Sequence, residues 1–355
     1  MRIPQFLRSW TSFAISTSTD RAEAEESVLE LYDHFNLKTE KILWVDDPVD
    51  GCLIKAMLKH SIQDHIAKSP YSRVNLFLSP LTDMAEGQNE KIEEVHNATR
   101  EHPILGNFIR SVQWAVYKEI ERMVKYGEIK SRIKELSHIH DLPIMLKDIS
   151  EVNMIAWMAA ATAGTFNSSW VTSMDYLHLN ERKPAILESL VKCVHNLGMF
   201  WGGPITVICE KPKVVSVNEN GFCSRDAGAI EFSRSKAPIL NNVQVPEWLA
   251  YTPSSKIDPK EVSKIENAEI RREFVRKVGI ERICHALNCE VVDRQGEVYE
   301  LILLDIGDGR RREYLKMRNP SIDTFHVEGV PPGTKTVQEA LEFRNGTGSS
   351  PLYLT

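Results

Sequence analysis

The sequence changes character near Trp201-Gly-Gly-Pro204, and this change constrains the fold more than any other feature. Before it, apolar residues recur at helical spacing, as in Val116, Ile120 and Met123. After it, short apolar segments alternate with turn signals. The pattern predicts an α+β protein. Its N-terminal half is mainly helical with a few strands, and its C-terminal half is rich in β-hairpins and meanders with interposed helices.

The same change of pattern predicts where the chain divides. A chain of 355 residues is long enough for two domains at about 150 residues per domain. We therefore expect a mainly helical domain over residues 1–200 and a β-rich α+β domain over residues 201–355. An apolar content of 42% is ordinary for packed domains and disfavours long disordered stretches.

Local signals place several elements in the helical half. Asp20 is an expected N-cap. The apolar run Lys41–Val45 predicts a strand, after which Asp46 or Asp47 caps a helix that reaches about residue 67. Residues 73–78 predict a second strand, and the apolar stretch 149–163 predicts a buried helix that is too short and too polar to span a bilayer.

Signals in the β-rich half are mostly turns and caps. Asp258-Pro-Lys-Glu261 predicts a helix start, with the helical pattern continuing to about residue 287 and a break at Gly279. Asp293-Arg-Gln-Gly296 and Gly307-Asp-Gly309 predict the turns of a meander. Thr336-Val-Gln-Glu339 is the capping box of a last short helix.

Cysteine use and charge restrict the class of protein. Six cysteines are scattered without a C-x-x-C pair, and the closest two are Cys284 and Cys289. This spacing predicts free thiols in a reducing cytoplasm and no structural zinc. No signal peptide or membrane span is expected. The net charge of −6 gives no general attraction to nucleic acid or anionic lipid.

One histidine pair suggests metal chemistry. On a strand, His138 and His140 would share a face beside Asp141, which is an arrangement that metal sites use. A metal-dependent hydrolase is therefore one alternative, and neutral imidazoles in a polar loop are the other explanation. Asp175 and His178 are further candidates for acid–base work. Signatures of a serine hydrolase elbow, a phosphate-binding loop and a dinucleotide fold are missing from the sequence, so no cofactor is predicted.

The strongest local charge is basic and lies in the β-rich half. Two explanations fit it: a surface that binds an acidic partner or nucleic acid, and a solvated helix face balanced by Glu266 and Glu269. Trp248 adds an aromatic residue of the type enriched at interface hot spots. The predicted binding residues are Trp248, Arg271, Arg272, Arg276, Arg310, Arg311 and Arg312, with Lys277 and Arg282 in the same stretch.

Several segments together resemble a family of uncharacterised bacterial proteins, a domain of unknown function that covers nearly the whole chain. The segments are Trp44-Val-Asp-Asp-Pro48, Gly198-Met-Phe-Trp201, Val207-Ile-Cys-Glu-Lys-Pro212, Gln244-Val-Pro-Glu-Trp248, residues 266–272, 279–282 and 326–332, and Thr336 to Arg344. Family members carry a central hairpin similar to repeats of some antitoxin-like proteins. This chain has Phe222-Cys-Ser-Arg-Asp-Ala-Gly-Ala229 there, which departs from that pattern and weakens any binding role.

The resemblance implies a bacterial, cytoplasmic setting and no particular chemistry. Together with the missing catalytic signatures, it favours a non-enzymatic adaptor or regulator that binds another protein. A metal-dependent hydrolase and a nucleic-acid-binding protein are the two alternatives.

Overall fold

The chain forms two compact units, Met1–Asn242 and Val243–Thr355. The computed structural model describes residues 2–58, 89–143, 168–179, 182–225, 228–306, 309–319 and 324–346. The predicted strand at 73–78, the predicted helix at 149–163 and the predicted continuation of a helix over 59–67 lie outside these residues. The α+β class is confirmed, with helices concentrated in the N-terminal half and strands in the C-terminal half.

The first unit is built on a mixed sheet with helices on both faces. Its described helices are α1 (Ile3–Ala14), α2 (Arg21–His34), α3 (Pro48–Met57), α4 (Asn89–Glu101), α5 (Leu105–Lys125), α6 (Ile129–His140), α7 (Ser168–Leu177) and α8 (Ala185–Asn196). Its strands are β1 (Lys41–Val45), β2 (Met199–Trp201), β3 (Ile205–Cys209), β4 (Val214–Val215), β5 (Val217–Asn218), β6 (Gly221–Phe222), β7 (Ile230–Glu231), β8 (Lys236–Ala237) and β9 (Ile239–Leu240).

The central sheet has the order β1-β3-β2. Strand β1 runs parallel to β3 with Lys41 opposite Ile205, and β2 runs antiparallel to β3 with Met199 opposite Cys209. These pairings explain why the predicted boundary near residue 200 falls inside the first unit. The strands that follow it complete a sheet begun at residue 41, and contacts keep the chain in the first unit as far as Asn242.

Alternation along the strands divides the apolar side chains between two cores. Leu43, Val45 and Val207 lie in one core with residues of α3, α5 and α6. Ile42 and Ile208 belong to the other, with residues of α1, α2, α7 and α8. A strand whose two faces are both buried has a continuous run of apolar residues. Ile42 to Val45 of β1 form such a run.

The Gly202–Pro204 turn joins β2 to β3 and is held by two buried polar groups. Lys55 Nζ donates to the carbonyl oxygen of Gly202 at 2.9 Å, and burial lowers the pKa of this lysine to about 8. The Tyr32 hydroxyl accepts a hydrogen bond from the backbone N–H of Gly203 at 3.0 Å. A Cβ on Gly203 would lie 2.8 Å from Lys55 Nζ, so a larger residue there would displace the lysine head group. The signal that marks the change of sequence pattern is therefore a hairpin turn inside one unit.

The second unit is an antiparallel meander with helices before and after it. Its elements are β10 (Val243–Gln244), α9 (Glu247–Tyr251), two short 3₁₀ helices (Ser254–Lys256 and Pro259–Lys264), α10 (Ala268–Val278), α11 (Ile280–Ala286), β11 (Glu290–Gln295), β12 (Tyr299–Leu304), β13 (Arg312–Asn319), β14 (Thr324–Gly329) and α12 (Val337–Arg344). Strands β11 to β14 pair in sequence order as a meander. The first turn lies at 296–298 rather than 293–296, because Asp293 to Gln295 continue β11, and most of the predicted 307–309 turn lies outside the described residues.

The capping signals of the second unit are mostly confirmed. Thr336 Oγ1 accepts from Glu339 N at 3.1 Å and starts α12, whose Val337 and Ala340 pack on the meander. Gly279, at φ 90°, separates α10 from α11. The predicted helix start at Asp258 gives a 3₁₀ helix instead. The α-helix begins ten positions later because Asn267 Oδ1 accepts from the N–H groups of Glu269 and Ile270.

Candidate functional site

Trp248 presents an apolar surface on α9. Pro246, in an extended conformation, precedes this short helix. Leu249 and Ala250 of the helix are fully buried. Trp248 points the other way and keeps 42% of its surface exposed. Its indole meets Phe274 of α10 edge to face, with ring centroids 6.2 Å apart. One edge of the indole is therefore packed while the rest faces solvent.

Lys277 of α10 holds the C-terminal end of α9 in place. Its Nζ donates to the carbonyl oxygens of Leu249 at 2.6 Å and Ala250 at 2.7 Å. A cation at the C-terminal carbonyls of a helix satisfies acceptors that have no intrahelical partner and interacts favourably with the helix dipole. The backbone that carries Trp248 is thus tied to α10 through charge-assisted hydrogen bonds.

Two arginines hold the chain that follows α9 in the same way. Arg282 donates to the carbonyl oxygens of Ser254 at 2.6 Å and Ile257 at 3.0 Å. Arg271 Nε donates to the carbonyl oxygen of Ile265 at 2.9 Å. Residues 247–266, called the Trp248 segment below, consist of three short helices and the turns between them. Carbonyl groups at helix ends and turns have no helical partner, and these side chains supply one.

Arg272 and Arg276 neutralise a buried carboxylate. Glu273 is only 1% exposed, and its Oε1 lies 3.3 Å from Arg272 Nε and 2.9 Å from Arg276 Nη1. A buried charge is tolerated when it is paired and hydrogen-bonded. The basic stretch of α10 and α11 is therefore largely engaged within the second unit, and binding of an external partner by these side chains stays a prediction.

Arg310, Arg311 and Arg312 are exposed at the turn between β12 and β13. Arg311 donates to Glu290 Oε2 at 3.0 Å and to the carbonyl oxygen of Asn288 at 3.1 Å, which ties the turn to the beginning of β11. Arg310 and Arg312 also make interactions within the protein.

The expected geometry of the histidine pair is wrong. His138 and His140 lie in the last turn of α6, and Asp141, in the left-handed conformation, ends that helix. Residues two apart point about 200° apart around a helix, so the two imidazoles do not share a face as they would on a strand. Among the residues that the structure describes, His, Cys, Asp and Glu side chains do not form a group of three or more that could hold a metal ion.

Sequence reasoning did not find a buried ion pair in the first unit. Arg132 of α6 forms a bidentate pair with Asp50 of α3, 82 positions away, through Nε–Oδ1 at 2.8 Å and a second contact between Nη2 and Oδ2. The side chains are 10% and 3% exposed. Nearby, Asp47 caps α3 by accepting from Val49 N at 2.9 Å, which confirms one of the two predicted caps. No local signal indicates the pairing, because it depends on how distant helices pack.

A second group of titratable side chains surrounds the end of α1. Trp10 Nε1 donates to Asp175 Oδ2 at 3.2 Å, and Lys183 pairs with the other oxygen of Asp175. Lys211 Nζ donates to the carbonyl oxygen of Phe13 at 3.0 Å, and burial lowers the pKa of Lys211 to about 8. Asp175 thus bonds Trp10 of α1 and pairs with Lys183, and its role in acid–base chemistry stays a prediction.

His195 lies in the same group, stacked on Phe13 with ring centroids 3.5 Å apart. Burial lowers the pKa of His195 to about 4. Asp175 opposes this shift, whereas Lys211 and Lys183 add to it. The imidazole is therefore neutral at pH 7, and its buried Nε2 has no hydrogen-bond partner among the residues that the structure describes. This arrangement makes the docking of α1 sensitive to acid.

None of the helices in the described ranges combines the length and apolar character needed to cross a bilayer. Comparison of the chain with family models, with curated proteins and with solved structures finds no match in any of the three. The resemblance to an uncharacterised bacterial family therefore stays a prediction, and the argument for function depends on the geometry above.

Proposed function

We propose that this chain is a non-enzymatic interaction protein, an adaptor or regulator of a bacterial system, whose protein partner docks on Trp248. The observation that carries the proposal is the 42% exposed indole on a helix whose backbone is held by Lys277. Tryptophan is enriched among the residues that dominate binding energy at protein interfaces.

The support from the Trp248 segment is its preorganisation. Lys277, Arg271 and Arg282 each direct donors at its carbonyl oxygens, so its backbone is constrained before any partner arrives. A constrained surface loses less conformational entropy on binding. In this proposal the basic residues act through the segment they hold, and the indole makes the contact.

Native mass spectrometry of the chain, purified gently from its own host, tests the proposal. The wild-type chain should retain a protein partner of defined mass, and Trp248→Ala should lose it. Loss of a hot spot of about 2 kcal/mol weakens binding about 30-fold. Tyr126→Ala is the matched control, because Tyr126 is an aromatic residue of the first unit that is 64% exposed. This control should keep the partner.

Two outcomes contradict the proposal. A wild-type chain that carries no protein lacks the predicted partner, and a partner that stays bound to Trp248→Ala docks elsewhere. Co-purified RNA whose binding falls steeply with salt would favour the Arg310–Arg312 turn and nucleic-acid binding instead.

A further inference from the structure

Cys284 and Cys289 meet at the joint between α11 and β11. Cys284 is buried in the last turns of α11, and Cys289 is partly exposed one position before β11 begins. Both are free thiols. Because the residues between them end the helix, the backbone conformation at this point sets the distance between the two sulfur atoms.

The helix ends in a Schellman motif that brings the two cysteines together. Asn288 adopts the left-handed conformation with φ 50°. The N–H of Cys289 then donates to the carbonyl oxygen of Cys284 at 2.9 Å, and the N–H of Asn288 points at that of His285 at 3.5 Å. In this motif the residues equivalent to Cys284 and Cys289 make a side-chain contact. The backbone of this motif therefore brings the two thiols side by side at the end of the helix.

The geometry suits a disulfide. A direct backbone hydrogen bond keeps the two Cα atoms about 6 Å apart, which is within the range of roughly 4.4–6.8 Å that disulfides span. By contrast, Cys52, Cys193 and Cys209 are buried in the first unit, where a solution oxidant does not reach them. Cys223, which is partly exposed, serves as a comparison cysteine in the first unit.

We infer that Cys284 and Cys289 form a reversible dithiol–disulfide pair, a modification site that hydrogen peroxide oxidises. The disulfide would lock the end of α11 to the start of β11. This joint also receives Arg311, whose donors bind Asn288 and Glu290 on either side of Cys289. Oxidation therefore acts on the contact that anchors the basic turn.

The exposed thiol reacts first. The Cys289 thiolate attacks one peroxide oxygen; an S–O bond forms, the O–O bond breaks, and the leaving hydroxide takes up a proton to become water. Burial, with Cys289 beside it, raises the pKa of the Cys284 thiol, so Cys284 is not the thiol that attacks peroxide and it reacts only in the second step.

The resolving step closes the disulfide. The Cys284 sulfur attacks the sulfenic sulfur of Cys289; the S–S bond forms, the S–O bond breaks, and hydroxide leaves with the Cys284 proton as water. Two thiols lose two electrons in total, and one peroxide becomes two waters. A thiol reductant such as dithiothreitol reverses the reaction by exchange.

Peroxide treatment of the full-length wild-type protein tests the inference. The intact mass should fall by two hydrogens, peptide mapping should find a Cys284–Cys289 cross-link, and dithiothreitol should restore both thiols. Cys223→Ser should behave like wild type. Cys284→Ser should form no cross-link and should leave Cys289 as a sulfenic acid that dimedone traps.

Three results would overturn the inference. Both thiols of the wild-type protein could remain open to alkylation after peroxide treatment. Cys289 could advance to sulfinic acid without a cross-link. The cross-link could join one of these cysteines to Cys223 instead.

Discussion

The two units use buried and half-buried charge for different purposes. In the first, Asp50 pairs with Arg132, and Lys55 holds a turn deep inside the unit. In the second, Lys277 and Arg282 lie nearer the surface and bind backbone carbonyl groups of a segment made of short helices and turns. Charged side chains therefore stabilise the core of the first unit, whereas in the second unit they shape an exposed surface. The predictions below test this contrast.

The largest effect is expected from breaking the Asp50–Arg132 pair. Arg132→Met leaves Asp50 buried without its bidentate partner, and loss of one partner of a buried pair costs about 3–5 kcal/mol. Denaturant unfolding, monitored by hydrogen exchange, should show a lower free energy of unfolding for the first unit and little change for the meander. Arg122→Ala is the control, since Arg122 is a 42% exposed arginine paired with Glu119 and should cost about 0–1 kcal/mol. Equal losses in the two variants would contradict the contrast.

Acid should weaken the first unit through His195. The unfolded imidazole titrates near pH 6.5 and the folded one near pH 4, so protons bind the unfolded state preferentially. Stability is full above about pH 6.5 and falls as the pH drops towards 4, by about 3 kcal/mol for this group. His102 adds to the trend because its Nδ1 accepts from the N–H of Leu105 at 3.4 Å, and burial lowers its pKa.

His195→Phe tests the cause of that slope. Phenylalanine keeps a ring for Phe13 to stack on and removes the titration, so the loss of protection in α1 between pH 7 and pH 5 should shrink. Hydrogen exchange of α1 at the two pH values measures it. An unchanged slope would assign the acid sensitivity to other groups.

Lys277→Met should loosen the Trp248 segment without unfolding its unit. The variant keeps an apolar stem of similar length and loses two charge-assisted hydrogen bonds to the end of α9. Since a hydrogen bond to a charged group contributes about 1.5–3 kcal/mol, we expect the loss of two to cost about 3 kcal/mol, concentrated in residues 247–251. Hydrogen exchange of the backbone amides of residues 247–251 measures this loss. Lys260→Met, on an exposed lysine of the same segment, is the control and should leave exchange unchanged.

The smallest effect is expected at the joint between α10 and α11. Gly279 has φ 90°, where an L side chain is disfavoured, yet a Cβ there meets no atom within 4 Å. Gly279→Ala should therefore cost about 1 kcal/mol from backbone conformation alone. Gly51→Ala is the comparison, because its Cβ would lie 2.3 Å from the buried Trp201 ring and should cost more. Thermal unfolding of both variants gives the order.

Local signals predicted much of the fold because they act over a few residues. The strand at Lys41–Val45, the cap at Asp47 and the break at Gly279 each depend on neighbours in sequence. The pairing of β1 with β3 could not be predicted, since it joins segments separated by most of the first unit. For the same reason, the predicted domain boundary at residue 200 separates β1 from its partner β3.

The candidate site was only partly predictable from the sequence. Trp248 was identified by residue type, and the structure gives its exposure. The basic stretch was identified by charge, but the sequence does not show that Lys277, Arg271 and Arg282 reach backbone carbonyl oxygens. His138 and His140 would share a face only on a strand. Their spacing of two residues does not by itself distinguish a strand from the end of a helix, so the sequence could not show where the two imidazoles point.

The most direct test of the proposed interaction surface is photo-cross-linking in the host, with a benzoylphenylalanine placed at position 247, where exposed Glu247 lies next to Trp248, and, separately, at position 126. One discrete protein adduct should form from position 247 and be absent from position 126. The same adducts from both positions, or none from position 247, would contradict docking on Trp248.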